Sequence, residues 1–130
     1  MISLVLPIRL VSVANLREHW AKKAKRTAEH RSIASMALRK HTHLVYEKDK
    51  TLKHILISIS RIAPRMLDGD NLQSACKGLR DGIADALLVP DNHPNILWEY
   101  KQHRGRPKEY AVHVEIWDVG TWQNLPAGWL

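Results

Sequence analysis

The sequence predicts an α/β fold of the α+β kind: a single domain, a sandwich of a mixed, partly antiparallel sheet with helices, in the order β-α-β-α-β-β. Three observations predict it. Residues 2–12, 51–63, 95–103 and 108–118 alternate in side-chain character with the period of a strand. Residues 16–40 and the run from Asp70 to Leu87 instead repeat at helical spacing. The 130 residues, 45% of them apolar, are enough for one core, and no linker, repeat or low-complexity tract divides them.

In the first strand Ile2, Leu4, Leu6, Ile8 and Leu10 share a face. Pro7 cannot donate to a ladder, which predicts an edge strand or one with a bulge. Asn15 is placed to cap a long helix from Leu16 to about Lys40, a stretch without Gly or Pro. Its apolar stripe is narrow: Leu16, Trp20, Ala24, Ala28, Ala34, Ala37 and Leu38. Arg17, Lys22, Lys23, Lys25, Arg26, Arg31, Arg39 and Lys40 make the helix strongly basic. His19, His30, His41 and His43 are scattered through it without the spacing of a zinc site.

Residues 43–50 read as a polar connection, part of a hairpin or a helix end. In 51–63 Ile55, Ile57, Ile59 and Arg61 face one way and Leu56, Ser58 and Ser60 the other, as in a sheet strand covered by a helix. Pro64 ends it and delivers 65–70 to a sheet edge, where sites in α/β folds gather.

Next comes the stretch around which the chain is organised, MLDGDNLQSACKGLRDGIADALLVPDN, residues 66–92. Its centre reads as one helix. Leu72, Ala75, Cys76, Leu79, Ile83, Ala86 and Leu87 fall in one arc, with Asp70, Ser74, Lys77 and Asp81 opposite and Asp85 at the margin. Val89 and Pro90 turn the chain, and His93 reads as a loop residue. In 95–103 Ile96, Trp98 and Tyr100 alternate with Leu97, Glu99 and Lys101; in 108–118 Tyr110, Val112, Val114 and Ile116 share a face. The basic turn Arg104-Gly105-Arg106-Pro107 joins them, which predicts an antiparallel β-hairpin. Trp122 and Trp129 in the tail suggest docking on the body or on a partner subunit.

Twenty Lys and Arg face thirteen Asp and Glu, a net charge of +7, which points to a polyanionic partner. Against that background Asp68, Asp70, Asp81 and Asp85 are concentrated in one place, with Asp91 beyond the helix. Carboxylates on one short loop suit a hard divalent cation. The same residues also allow a plain reading: Asp70 with Asn71 as a helix cap, and Asp81, Lys77 and Asp85 as surface pairs. A helix of about sixteen residues spans roughly 24 Å. Asp91 therefore meets Asp68 and Asp70 only if the following loop folds back or a partner subunit supplies it. Lys22, Lys23 and Arg26, with Arg104 and Arg106, are candidate phosphate contacts. Cys76, alone and on the apolar face, reads as a buried, reduced cysteine of a cytoplasmic protein. No apolar run has the length of a membrane span, and the start of the chain has no basic leader pattern.

Asp68-x-Asp70-Asn71-Leu72, then Lys77, Asp81 and Asp91, together with the order of strands and helices, resemble the RusA family of Holliday-junction resolving endonucleases, phage-encoded members included. The resemblance covers essentially the whole chain. It implies a homodimer that needs magnesium or manganese and cuts four-way DNA junctions, in the cytoplasm of a bacterial or phage-infected cell. It implies that Asp68, Asp70 and Asp91 are the metal-binding catalytic acids and that Lys77 is the catalytic or phosphate-stabilising lysine. Asp81 and Asn71 would support the site structurally. Two other functions stay open on the sequence: a non-catalytic nucleic-acid-binding module, and a nuclease that prefers flaps or forks.

Overall fold

The computed structural model describes residues 1–12 and 20–120. Asn15, Leu16, Arg17, His19, Trp122 and Trp129 lie outside them. Among the described residues the elements are β1 (Ile2–Leu6), α1 (Trp20–Arg39), a 3₁₀ turn (Thr42–Val45), β2 (Ile55–Ala63), α2 (Gly69–Ala75), α3 (Lys77–Leu87), β3 (Ile96–Arg104) and β4 (Ala111–Asp118). No helix among these residues is long and apolar enough to cross a membrane.

The strand with the most continuous burial becomes the centre. Every residue of β2 is buried except Ile62, which is half-buried. Such a strand needs hydrogen-bonded neighbours on both edges, and the sheet order is β1-β4-β2-β3. β2 pairs parallel with β3 and antiparallel with β4, so that Ile57 stands between Trp98 and Ile116. β1 pairs only with β4 and is an edge strand, as Pro7 just beyond its end requires.

Here the expected hairpin is corrected. β3 and β4 run in opposite directions but are not neighbours, because β2 lies between them. β3 is reached from β2 by the helical crossover and takes one edge of β2. The 105–110 connection then passes across the end of β2, where the Gly105 N–H donates to the Ala63 carbonyl at 2.9 Å, and β4 returns along the other edge.

Ile55, Ile57 and Ile59 of β2, Val112, Val114 and Ile116 of β4, and Ile2 and Leu6 of β1 form one apolar sheet face. Leu72, Ala75, Cys76, Leu79, Ile83, Ala86 and Leu87 cover it, all of them buried. The face read from the 66–92 stretch is therefore the face observed, but the single helix is two. Cys76 breaks it: its N–H is shared between the Leu72 and Gln73 carbonyls at 3.2 and 3.1 Å. Cys76 keeps a right-handed conformation, φ −87° and ψ 0°, so the side-chain periodicity runs through the break unchanged.

α1 lies against α3 rather than directly on the sheet. Gly78 and Gly82, four apart, share the face of α3 that meets α1. A methyl group on Gly78 would stand 2.5 Å from the Thr27 carbonyl oxygen, and one on Gly82 would collide with the Arg31 backbone. The helices thus approach backbone to backbone, and α1 buries only Ala34, Ser35 and Leu38. This is why its apolar stripe is so weak. Arg31 adds a two-pronged ion pair to Asp85 of α3, at 2.5 and 2.9 Å. Asp85 therefore serves the helix pair and is not part of an intrahelical surface pair.

Candidate functional site

Pro64 ends β2, and the chain reaches α2 through a loop pinned to β3. The Gln102 amide oxygen accepts from the Leu67 N–H at 2.8 Å, and its nitrogen donates to the Leu67 carbonyl at 2.7 Å. This clamp sets the backbone immediately before Asp68.

Asp68 is the N-cap of α2, its Oδ1 accepting from the Asn71 N–H at 3.0 Å. The cap is thus Asp68, where the sequence pointed to Asp70 with Asn71. Asp70 sits exposed in the first turn, and no hydrogen bond or ion pair among the described residues engages its carboxylate. Both acids gain from the partial positive charge of the helix start. Lys77 is exposed at the start of α3. With Ser74 it borders a groove of about 560 Å³ whose α1 side carries Lys23, Arg26, His30 and Arg31. Burial, with Arg26 beside it, holds the His30 imidazole below its ordinary value, so the charge of the groove comes from Lys and Arg. Lys22 and Arg26 line the adjoining depression. Arg104, the last residue of β3, and Arg106 just beyond it are exposed, at the end of the sheet from which β2 delivers Asp68.

Asp91 is held elsewhere. The loop after α3 does fold back, but it folds onto Arg80. The Arg80 Nε donates to Asp91 Oδ2 at 2.7 Å, and its Nη1 donates to the Tyr100 hydroxyl at 2.9 Å. The guanidinium lies 4.6 Å from the Trp98 ring centre, and the Trp98 indole N–H donates to the Asp91 carbonyl at 2.8 Å. Among the described residues no three His, Cys, Asp or Glu side chains converge in a group that could hold a metal ion. Asp68 and Asp70 thus stand at the cap and in the first turn of α2, and Asp91 is engaged by Arg80 instead. Asp81 lies near Asp85 and Asp91 in a shallow depression that Arg31 also lines. The His93 Nδ1 accepts from the Asn95 N–H at 3.0 Å, a loop role.

The donor set still fits magnesium. That ion keeps several waters and binds through one or two carboxylates plus substrate phosphates, so an all-protein cage is not required. Asp68 Oδ2 and both Asp70 oxygens are the atoms that would hold it. Cys76 takes no part: it is fully buried, and burial pushes its thiol up to about 12.

No family model, curated protein or solved structure matches this chain.

The sequence reading missed Arg61, Arg80 and Gln102 as organising residues. Arg61 carries a visible signal, a charge at the end of the face Ile55, Ile57, Ile59. At 5% exposure it is buried, and it ties Leu10 and Arg65 together through their carbonyls. Arg80 and Gln102 carry no such signal, because their partners are set by the crossover.

Proposed function

We propose that this protein is a magnesium-dependent endodeoxyribonuclease of the RusA type, acting on branched DNA and foremost on four-way junctions. The observation that carries this reading is the exposed Asp68–Asp70 pair at the start of α2, on a chain of net charge +7, with Lys77 beside a groove lined by Lys23 and Arg26. Asp68 and Asp70 would hold the ion, Asp68 with one oxygen already fixed by its cap. Magnesium bound there would supply an activated water and charge neutralisation at the phosphate. Lys77 places a positive charge against a phosphate in the groove and opposes the charge that builds on it during attack. Lys22, Lys23 and Arg26 neutralise backbone phosphates and fix the register of the DNA without reading its sequence. Two symmetric cuts need two equivalent sites, which a C2 homodimer supplies.

The deciding experiment compares four-way, three-way and linear duplex DNA side by side, with magnesium, with manganese and in EDTA. The expected result is metal-dependent nicking, strongest on the four-way junction. A junction shifted in a gel but never cut would leave a binding module. One observation favours that second reading: Asp91 is paired with Arg80 and stands apart from Asp68 and Asp70.

Replacing Lys22, Lys23 and Arg26 together by Ala should weaken junction binding and flatten its salt dependence, by about 0.9 in the log–log slope for each phosphate no longer neutralised. Anisotropy titrations over a range of salt read this directly. An unchanged slope would move the DNA off α1.

A further inference from the structure

A second pocket lies on the loop that delivers Asp68. It is separate from the groove, encloses about 230 Å³, and is lined by Arg9, Ser12, Arg61, Arg65, Leu67 and Tyr110 among others. No carboxylate lines it. Ser12 is 9% exposed, and its hydroxyl has no hydrogen-bond partner among the described residues. Arg61 uses Nε on the Leu10 carbonyl at 3.0 Å, and Nη1 on the Arg65 carbonyl at 2.6 Å and the Gln102 amide oxygen at 3.3 Å. Its Nη2 carries two further N–H groups with no acceptor among the described residues. The Arg9 guanidinium is fixed 4.1 Å from the Tyr110 ring centre, and Arg65 is exposed at the rim. Burial holds Arg61 below the usual guanidinium value, and the like charge of Arg9 acts in the same direction.

A buried hydroxyl without a partner among the described residues and clustered guanidiniums are both costly, and one tetrahedral oxyanion, accepting from the Ser12 hydroxyl and balancing the charge, relieves both. Its oxygens can accept from Arg61 Nη2 and the Ser12 hydroxyl while Arg9 and Arg65 balance its charge. A fork of guanidinium N–H groups matches phosphate geometry. We propose that this pocket is a phosphate subsite that seats a backbone phosphate of nucleic acid next to Asp68. The choice of nucleic acid as the source rests on the proposed function; the oxyanion chemistry does not. Because Gln102 touches both Arg61 and the Leu67 backbone, a phosphate seated here is coupled to the position of Asp68.

The test uses the full chain in EDTA, so that cutting plays no part. Inorganic phosphate is titrated against chloride at matched ionic strength, and the Arg61 Nε–H and Ser12 amide resonances are followed. Junction affinity is then measured against salt for the parent and for S12A combined with R65Q. K48Q alone, on the exposed turn and remote in sequence from the pocket, removes the same single positive charge and controls for net charge. The expected result is that phosphate but not chloride moves both resonances in the parent. The S12A and R65Q variant should lose those shifts and bind junctions severalfold more weakly, with a salt slope lower by about 0.9. Its melting temperature should hold or rise, because the Ser12 hydroxyl has no partner among the described residues of the free protein. Phosphate shifts that are absent in the parent, or that persist in the S12A and R65Q variant, would overturn the subsite. Phosphate shifts with unaltered DNA binding would overturn nucleic acid as the source and leave a free phosphate compound. A parent protein that shows the full pattern yet never cuts DNA with magnesium would sink the nuclease reading alone.

Discussion

Asp70→Asn should lower magnesium-dependent junction cleavage by about two to three orders of magnitude while leaving the protein folded. The size follows from the proposed ion: charge stabilisation by a bound metal is worth several kcal/mol, and each 1.36 kcal/mol is tenfold in rate. Asn keeps the shape and hydrogen-bonding capacity of Asp but removes a charged ligand. The fold should not notice, because the side chain that caps α2 is Asp68, and Asp70 is exposed without a partner among the described residues. Junction binding in EDTA should persist or tighten slightly, since a negative charge near phosphate is gone. Melting curves, EDTA binding and single-turnover cleavage on one preparation give all three readouts. A folded variant that binds and cuts at the parent rate would take Asp70 out of the mechanism. Asp68→Asn is the companion: Asn is as good a cap as Asp, so it too separates ligand from cap.

What the sequence made legible was what periodicity reports. The buried arc of 72–87, the apolar face Ile55, Ile57 and Ile59, and the edge position of β1 all follow from which side chains must leave water. Pairing is different. The strands at 95–103 and 108–118 look like a hairpin because they are joined by a short basic turn. The better solution puts β2 between them, since a strand buried along nearly its whole length needs both edges occupied. The candidate site divides in the same way between local and long-range placement. Asp68 and Asp70 are two apart at the cap and first turn of α2, a neighbourhood that the local sequence sets by itself. The place of Asp91 depends on where the loop after α3 folds, which Arg80, Trp98 and Tyr100 decide from two other elements. The Arg61 pocket is built from segments 9–12, 61–67 and 110, brought together only by the sheet.

Gly82→Ala should destabilise the protein by about 2–3 kcal/mol, against the sign that helix propensity gives. In an exposed helix interior Ala is favoured over Gly by about 1 kcal/mol. At Gly82 the added methyl meets the backbone of Arg31, its Cα and carbonyl carbon both at 2.9 Å, and a backbone cannot rotate out of the way as a side chain can. α1 must move off α3 to make room. Overpacking costs of this kind run to about 1–3 kcal/mol and more. Such a loss is a large share of a stability of about 5–15 kcal/mol, and for a chain of this size it lowers the melting temperature by about 10 °C. The shift should reach function as well. Lys22, Lys23 and Arg26 ride on α1, whose seat on α3 is this pair of glycines, so junction affinity should fall even at temperatures where the variant is folded. Gly69→Ala is the control, because nothing lies within 4 Å of a methyl group there; it should be neutral or slightly stabilising. Thermal melts of the two variants beside the parent decide the matter. A Gly82→Ala protein as stable as the parent, or more so, would mean that α1 does not ride against α3 at backbone contact, and the basic helix would lose its fixed place beside Lys77.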